Sequence, residues 1–178
     1  MILEEIKNHI EKHEIGSGTV LKIKGNAKIF QLLTQNLYND IYTTIIRELS
    51  CNALDSHVAV GKDEAFCVSL PNTLKPYLSI EDFGRGMDKQ TIEDVYMTLG
   101  ESDKTTSNEF IGTYGIGSKS VWSVSSNLAI RVRSNGIETL YALFLNADQL
   151  PECSKVHEKP TTECNGFEIK IPIKREDF

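Results

Sequence analysis

The sequence predicts an α+β fold, a two-layer α/β sandwich in which one mixed β-sheet is covered by helices on one face. Three observations lead there. Segments with helical spacing of apolar residues interleave with segments that alternate apolar and polar. The helical segments carry start and stop signals. Asn135-Gly136, set between two alternating runs, is a strong hairpin signal.

In chain order, Ile2, Leu3, Ile6 and Ile10 give one face of a short amphipathic helix over 2–13, broken by Gly16-Ser17-Gly18. Thr19–Lys24 alternates and reads as a short strand. Together these form an N-terminal helix and strand over 1–25, ahead of a main domain over 26–178. Asn26 can cap a helix over 27–38 with Ile29, Leu32, Leu33 and Leu37 inward. A second helix runs from Ile41 to Ala59, and Gly61 ends it. Ala65–Leu70 and Tyr77–Glu81 read as strands joined by the turn Pro71-Asn72-Thr73. Asp88 can cap a helix over 89–99, and the polar, glycine-punctuated stretch Gly100–Gly117 reads as a loop. Ser118–Ser123 opens a helix, and Asn127–Ser134, Glu138–Leu145 and Phe167–Ile173 read as strands.

Composition narrows the class. The 178 residues suffice for one domain with a substantial core, and 40% hydrophobic with 25% charged residues is ordinary for a globular chain. A formal net charge of -6 argues against broad, nonspecific nucleic-acid binding. No apolar run is long enough to span a bilayer, and the charged N-terminus lacks the apolar centre of a signal peptide, so the cytoplasm is the expected compartment. Cys51, Cys67, Cys153 and Cys164 form no C-x-x-C pair. The first two fall in segments that read as buried, which favours reduced thiols serving as small hydrophobes.

Three motifs carry chemistry. In Arg47-Glu48-Leu49-Ser50-Cys51-Asn52-Ala53-Leu54-Asp55, the residues Glu48, Asn52 and Asp55 share one helix face, while Ile45, Ile46, Leu49 and Ala53 take the core side. A carboxylate beside an amide suits a site where the amide oxygen holds a hard cation such as Mg²⁺ and the carboxylate orients a water. In Asp82-Phe83-Gly84-Arg85-Gly86-Met87, a strand delivers Asp82 to a turn. Its carboxylate can accept from an exocyclic amine, and the glycines allow close backbone approach. In Gly112-Thr113-Tyr114-Gly115-Ile116-Gly117-Ser118-Lys119, glycines run into a helix start, where backbone N–H groups favour phosphate and Lys119 can add a point charge. This run is neither a P-loop nor a dinucleotide fingerprint, since Thr113 stands at the first-glycine position of the former and Ser120 at the third of the latter.

Each motif alone competes with an ordinary reading as a solvated helix face or a simple turn. Their order and spacing are more specific. E-x-x-x-N on a helix, D-x-G-x-G thirty residues beyond the asparagine and G-x-x-G-x-G after a polar loop resemble the GHKL ATPases (gyrase, chaperone, histidine kinase and MutL) over about 40–173. The resemblance implies ATP and Mg²⁺ as ligands. It implies Glu48 as general base, Asn52 as the Mg²⁺ ligand, Asp55 as a pocket-shaping residue and Asp82 as the adenine acceptor. It further implies Gly84, Gly86 and Met87 beside the base, Gly112, Gly115, Gly117, Ser118 and Lys119 at the phosphates, an ATP lid over 98–116, and Lys104 within that lid near phosphate. More narrowly, Lys28–Leu33, Leu37-Tyr38, Ile46–Leu49 and Phe110–Ser120 resemble phage RIIA-type proteins, which are associated with lysis control and exclusion.

Three departures stand out. Gyrase-like members carry Gly-Thr in a late strand, with the threonine supporting the adenine aspartate. Here Phe167 follows Gly166, so either another group such as Thr162 or a water takes that role, or the adenine contact is weaker. His57 stands where a small residue is common and reads as packing or surface rather than catalysis. The sequence also ends at Phe178, soon after its last strand, so it is either an excised domain or a minimal protein, and hydrolysis is expected to be slow if nothing else completes the site. The expected function is a slow, Mg²⁺-dependent ATPase acting as a nucleotide-gated switch. Its expected partners are a nucleotide-dependent homodimer or a host protein. A phage-encoded interaction protein that inhibits a host factor, with nucleotide binding vestigial or regulatory, is the alternative.

Overall fold

The computed structural model describes residues 40–97 and 117–173. Expectations for 1–39, for the lid with Lys104, Gly112 and Gly115, and for 174–178 lie outside the described residues.

Helix α1 spans Ile41–Val58. Asp40 caps it by accepting from the Thr43 N–H at 3.1 Å. Its end is turned by Gly61 at φ 65°, where backbone N–H groups return to the last carbonyls. Strands β1 (Cys67–Ser69) and β2 (Tyr77–Asp82) follow. Helix α2 covers Lys89–Tyr96, capped by Asp88, which accepts from the Thr91 N–H at 2.8 Å. It stops short of the expected 99. Gly117–Ser123 is a tight 3-10 helix rather than an α-helical start. Strands β3 (Asn127–Ser134) and β4 (Ile137–Leu145) form the expected hairpin, with Asn135 and Gly136 both at positive φ, 53° and 79°. Strand β5 (Pro151–Pro160) was not expected, and β6 (Gly166–Pro172) closes the described chain.

The sheet order is β1-β2-β6-β3-β4-β5. Among the described residues every pairing is antiparallel, including both pairings of β6, which inserts between β2 and β3. The expected parallel component of a mixed sheet is therefore not found there. The α+β class and the two-layer arrangement stand.

Alternation along the strands sorts the two faces. Leu78, Ile80, Ile130, Leu143, Ile169 and Ile171 point to one face and pack with Ile45, Leu49, Ala53, Ile92, Val121 and Trp122 from the helical layer. Each fully buried side chain of this kind contributes about 1.5–3 kcal/mol. The other face carries charges. Arg131 pairs with Glu81 and Glu168, both at 2.9 Å, and Arg133 pairs with Glu81 at 2.7 Å and Glu163 at 2.6 Å.

The cysteines depart from expectation. Cys67 is exposed on the edge strand β1, and Cys51 is only half-buried. Edge position among the described residues explains the first: there β1 pairs with β2 alone, and all three of its residues are exposed.

Candidate functional site

Helix α1 lays its apolar stripe, Ile45, Leu49 and Ala53, against the sheet. That fixes its rotation and brings Glu48 and Asn52 to the rim of the layer interface, half-buried, while Asp55 is fully buried at 2% exposed. Arg47 Nη2 donates to Glu48 Oε1 at 3.2 Å. The Glu48 carboxylate lies directly against Gly117, and any side chain at 117 would overlap it. The first and third motifs therefore meet at this point.

The 3-10 helix behind Gly117 is buried. Ser118 Oγ and Lys119 Nζ both donate to the Val95 carbonyl at 2.7 Å. Lys119 has no solvent exposure. The point charge expected beside phosphate is held instead on the last turn of α2, where the helix dipole leaves carbonyls negative.

Strand β2 ends at Asp82, 3% exposed. Its Oδ1 accepts twice, from Ser56 Oγ at 3.0 Å and from the Gly84 N–H at 2.9 Å. Burial pushes its carboxyl above the usual aspartate value, against those two bonds and the positive charge of Arg133. The turn that follows is gripped from several sides. Ser56 Oγ also accepts from the Arg85 N–H at 3.3 Å. His57 Nε2 accepts from the Phe83 N–H at 2.8 Å, while its Nδ1 lies 2.8 Å from the Glu64 carbonyl. The two bonds together require the neutral Nδ1–H tautomer. Lys62 Nζ donates to the Phe83 carbonyl at 2.7 Å. Gly84 sits against the Ser56 backbone with no room for a Cβ, and Gly86 holds φ 75° with the Arg133 carbonyl 2.6 Å from where a Cβ would be.

Between α1 and the sheet lies a cleft of about 250 Å³, including its open mouth. Asp82 and Asn52 are its acidic and amide groups. Leu49, Ile80, Met87, Tyr96 and Phe167 supply much of its wall. An apolar slot with one buried carboxylate acceptor suits a flat heteroaromatic ring bearing an amine. Among the described residues no three His, Cys, Asp or Glu side chains cluster as a metal site. Asn52 lines the cleft, and its amide oxygen is the kind of hard donor a Mg²⁺ ion takes when most of its other ligands are water.

Of the expected site residues, Asn52, Asp82 and Met87 line the cleft together, and Glu48 meets Gly117 beside it. Ser56, Tyr96 and Phe167 were not anticipated. Thr162, expected as the support of Asp82, is exposed on a loop. Ser56 provides that support from α1, and Phe167 is paired with Asp82 across the sheet. The histidine at 57 is buried and structural, as its place in the turn requires. Sequence spacing alone holds no signal for the Ser56 contact, because it joins residues on two elements.

Residues 41–170, well over half of the chain, match the family described as histidine kinase-, DNA gyrase B- and HSP90-like ATPases. A search of curated proteins found no match.

Proposed function

The chain belongs to the histidine kinase-, DNA gyrase B- and HSP90-like ATPase family, and from that premise we propose that it binds ATP with Mg²⁺ in the cleft between α1 and the sheet and hydrolyses it slowly, as a nucleotide-gated switch. One observation carries the assignment of the base: Asp82 is a buried carboxylate in an apolar cleft, and both of its hydrogen bonds fall on Oδ1. Oδ2 is left to accept from the adenine amine.

The remaining roles follow from position. Asn52, one helical turn beyond Glu48, supplies an amide oxygen to the metal, which when bound draws charge from the phosphate oxygens. Glu48 holds and deprotonates the attacking water, a role worth about 10²–10⁴-fold in rate. The contact of its carboxylate with Gly117 sets it where the glycine-rich run ends. Gly84 and Gly86 let the turn approach the base, and Asp55, fully buried on α1, helps shape the pocket. Backbone groups of the run through Gly112, Gly115, Gly117 and Ser118 bind phosphate, and Lys104 meets it from the 98–116 segment. Phosphoryl transfer depends mostly on positioning and charge stabilisation. The Lys119 ammonium is held on Val95, so hydrolysis by this domain alone is slow.

The likeness to phage RIIA-type proteins supplies the setting of the proposal, a phage protein in the host cytoplasm whose nucleotide state gates a homodimer or a host target. Turnover and ATP affinity of wild type, Glu48→Ala and Asp82→Asn test the chemistry. Glu48→Ala is expected to keep ATP and lose turnover, and Asp82→Asn to lose ATP. A wild type that binds no nucleotide removes the proposal. Light scattering with and without ATP tests the switch. A host-protein complex indifferent to ATP and to Asp82→Asn would replace it with the inhibitor reading.

A further inference from the structure

The cleft holds another polar group that the roles above leave unused. Tyr96, the last residue of α2, is 1% exposed and lines the cleft with Asp82. Its ring lies nearly parallel to Phe167, with centroids 6.0 Å apart and planes inclined by 10°. Its backbone carbonyl accepts from Trp122 Nε1 at 3.0 Å. Main chain and ring are thus both held. No hydrogen bond to its hydroxyl is present among the described residues. Among those residues Arg133 Nε is the fully enclosed side-chain polar atom without a partner. The cleft that Tyr96 lines is the space from which an acceptor can reach it.

A phenol kept in an apolar wall without a partner is unfavourable for the empty protein, where phenylalanine would fill the same volume. It becomes favourable once a ligand supplies an acceptor. Burial, and secondarily the charge of Asp82, push the phenol well above its usual value, so it stays protonated and able to donate.

We propose that Tyr96 completes recognition of the base by donating its hydroxyl to the ring nitrogen next to the exocyclic amine accepted by Asp82, which selects a 6-aminopurine. This rests on the ATP assignment above. A carboxylate acceptor and a hydroxyl donor lining one cleft match the amine and ring nitrogen of adenine. Guanine presents an oxygen acceptor at that carbon and an N–H beside it, so it would set oxygen against the Asp82 carboxylate. The late-strand hydroxyl of gyrase-like chains is replaced here by Phe167, and Tyr96 stacks on that ring.

The test is a titration of wild type and Tyr96→Phe with ATP, 1-deaza-ATP, 7-deaza-ATP and GTP, with thermal melts of both proteins. Tyr96→Phe keeps the ring and the volume, so its melting temperature is expected to hold or rise while its ATP affinity falls about 3- to 10-fold, the effect of one hydrogen bond. For 1-deaza-ATP the wild type is expected to have lost that factor already and Tyr96→Phe to lose nothing more, whereas for 7-deaza-ATP the loss in Tyr96→Phe is expected to remain. An unchanged ATP affinity in Tyr96→Phe, or an undiminished loss with both analogues, overturns the proposal. Should the variant not fold, wild type alone decides, because equal affinity for ATP and both deaza analogues also overturns it. A wild type that binds no ATP is a separate outcome and fails the ATP assignment itself.

Discussion

Asp82 sits under opposing demands. Burial raises its carboxyl above the usual aspartate value, so the folded chain holds that proton more tightly than the unfolded chain does. Stability from this group is therefore present at low pH and is lost as pH rises through the folded value, and at neutral pH the protein carries the full cost. Asp82→Asn keeps an oxygen for Ser56 and for the Gly84 N–H while removing the desolvated charge. Its melting temperature at neutral pH should equal or exceed that of wild type, even though ATP binding is lost. Binding has the opposite sign, because only the carboxylate accepts from the amine. ATP affinity should decline on acidification starting at a higher pH than an ordinary aspartate would give, which titrations across pH can read. Ser56→Ala frees Oδ1 and should weaken ATP by about 2- to 10-fold, with only a small change in melting temperature. At this scale the sequence was partly legible. Glu48, Asn52 and Asp82 were visible because each motif is local. The hydroxyl of Ser56 and the ring of Tyr96 acquire meaning only where α1 and α2 close on the end of β2, and no local spacing encodes that crossing.

Among elements, the junction of α1 with the end of β2 positions the cleft. Ser56, His57 and Lys62, all at or just past the end of α1, bond the turn after Asp82. Arg133 holds the same turn from the opposite face of the sheet. It pairs with Glu81, next to Asp82, and its guanidinium lies 5.6 Å from the centroid of the Phe83 ring. Arg133→Met should lower stability by about 1–3 kcal/mol, less than for a wholly isolated pair because Arg131 remains on Glu81. Chemical denaturation measures this, and ATP affinity should fall with it. Helix α1 was legible through its apolar spacing and Gly61, α2 through the Asp88 cap, and the β3–β4 hairpin through Asn135-Gly136, whereas the Asp40 cap was not read. Strand β5 was not. It is an edge strand bounded by Pro151 and Pro160 and exposed over most of its length, so it shows neither alternation nor an apolar run. The length of β1 was overread for a related reason, since an exposed edge strand can end wherever its partner stops pairing.

At the scale of the molecule, the last described strand inserts at the middle of the sheet. Phe167 is thereby paired with Asp82, and Ile169 with both Ile80 and Ile130. The wall of the cleft is thus built from the two ends of the described chain, and folding must close that long-range pairing before a base can bind. The core that does this lies away from the nucleotide. Ile130→Ala, at a site with no exposure and outside the cleft wall, should cost about 2–5 kcal/mol of stability and leave the ATP affinity of the folded fraction unchanged. Class and layering were legible from interleaved periodicities, but strand direction was not, because alternation reports which face is buried and says nothing of pairing sense. The most direct test of the central claim is a calorimetric titration of wild type and Asp82→Asn with Mg²⁺-ATP. Saturable one-site binding by wild type, lost in a folded Asp82→Asn, is the predicted result. No binding by wild type, or equal binding by both, would contradict it.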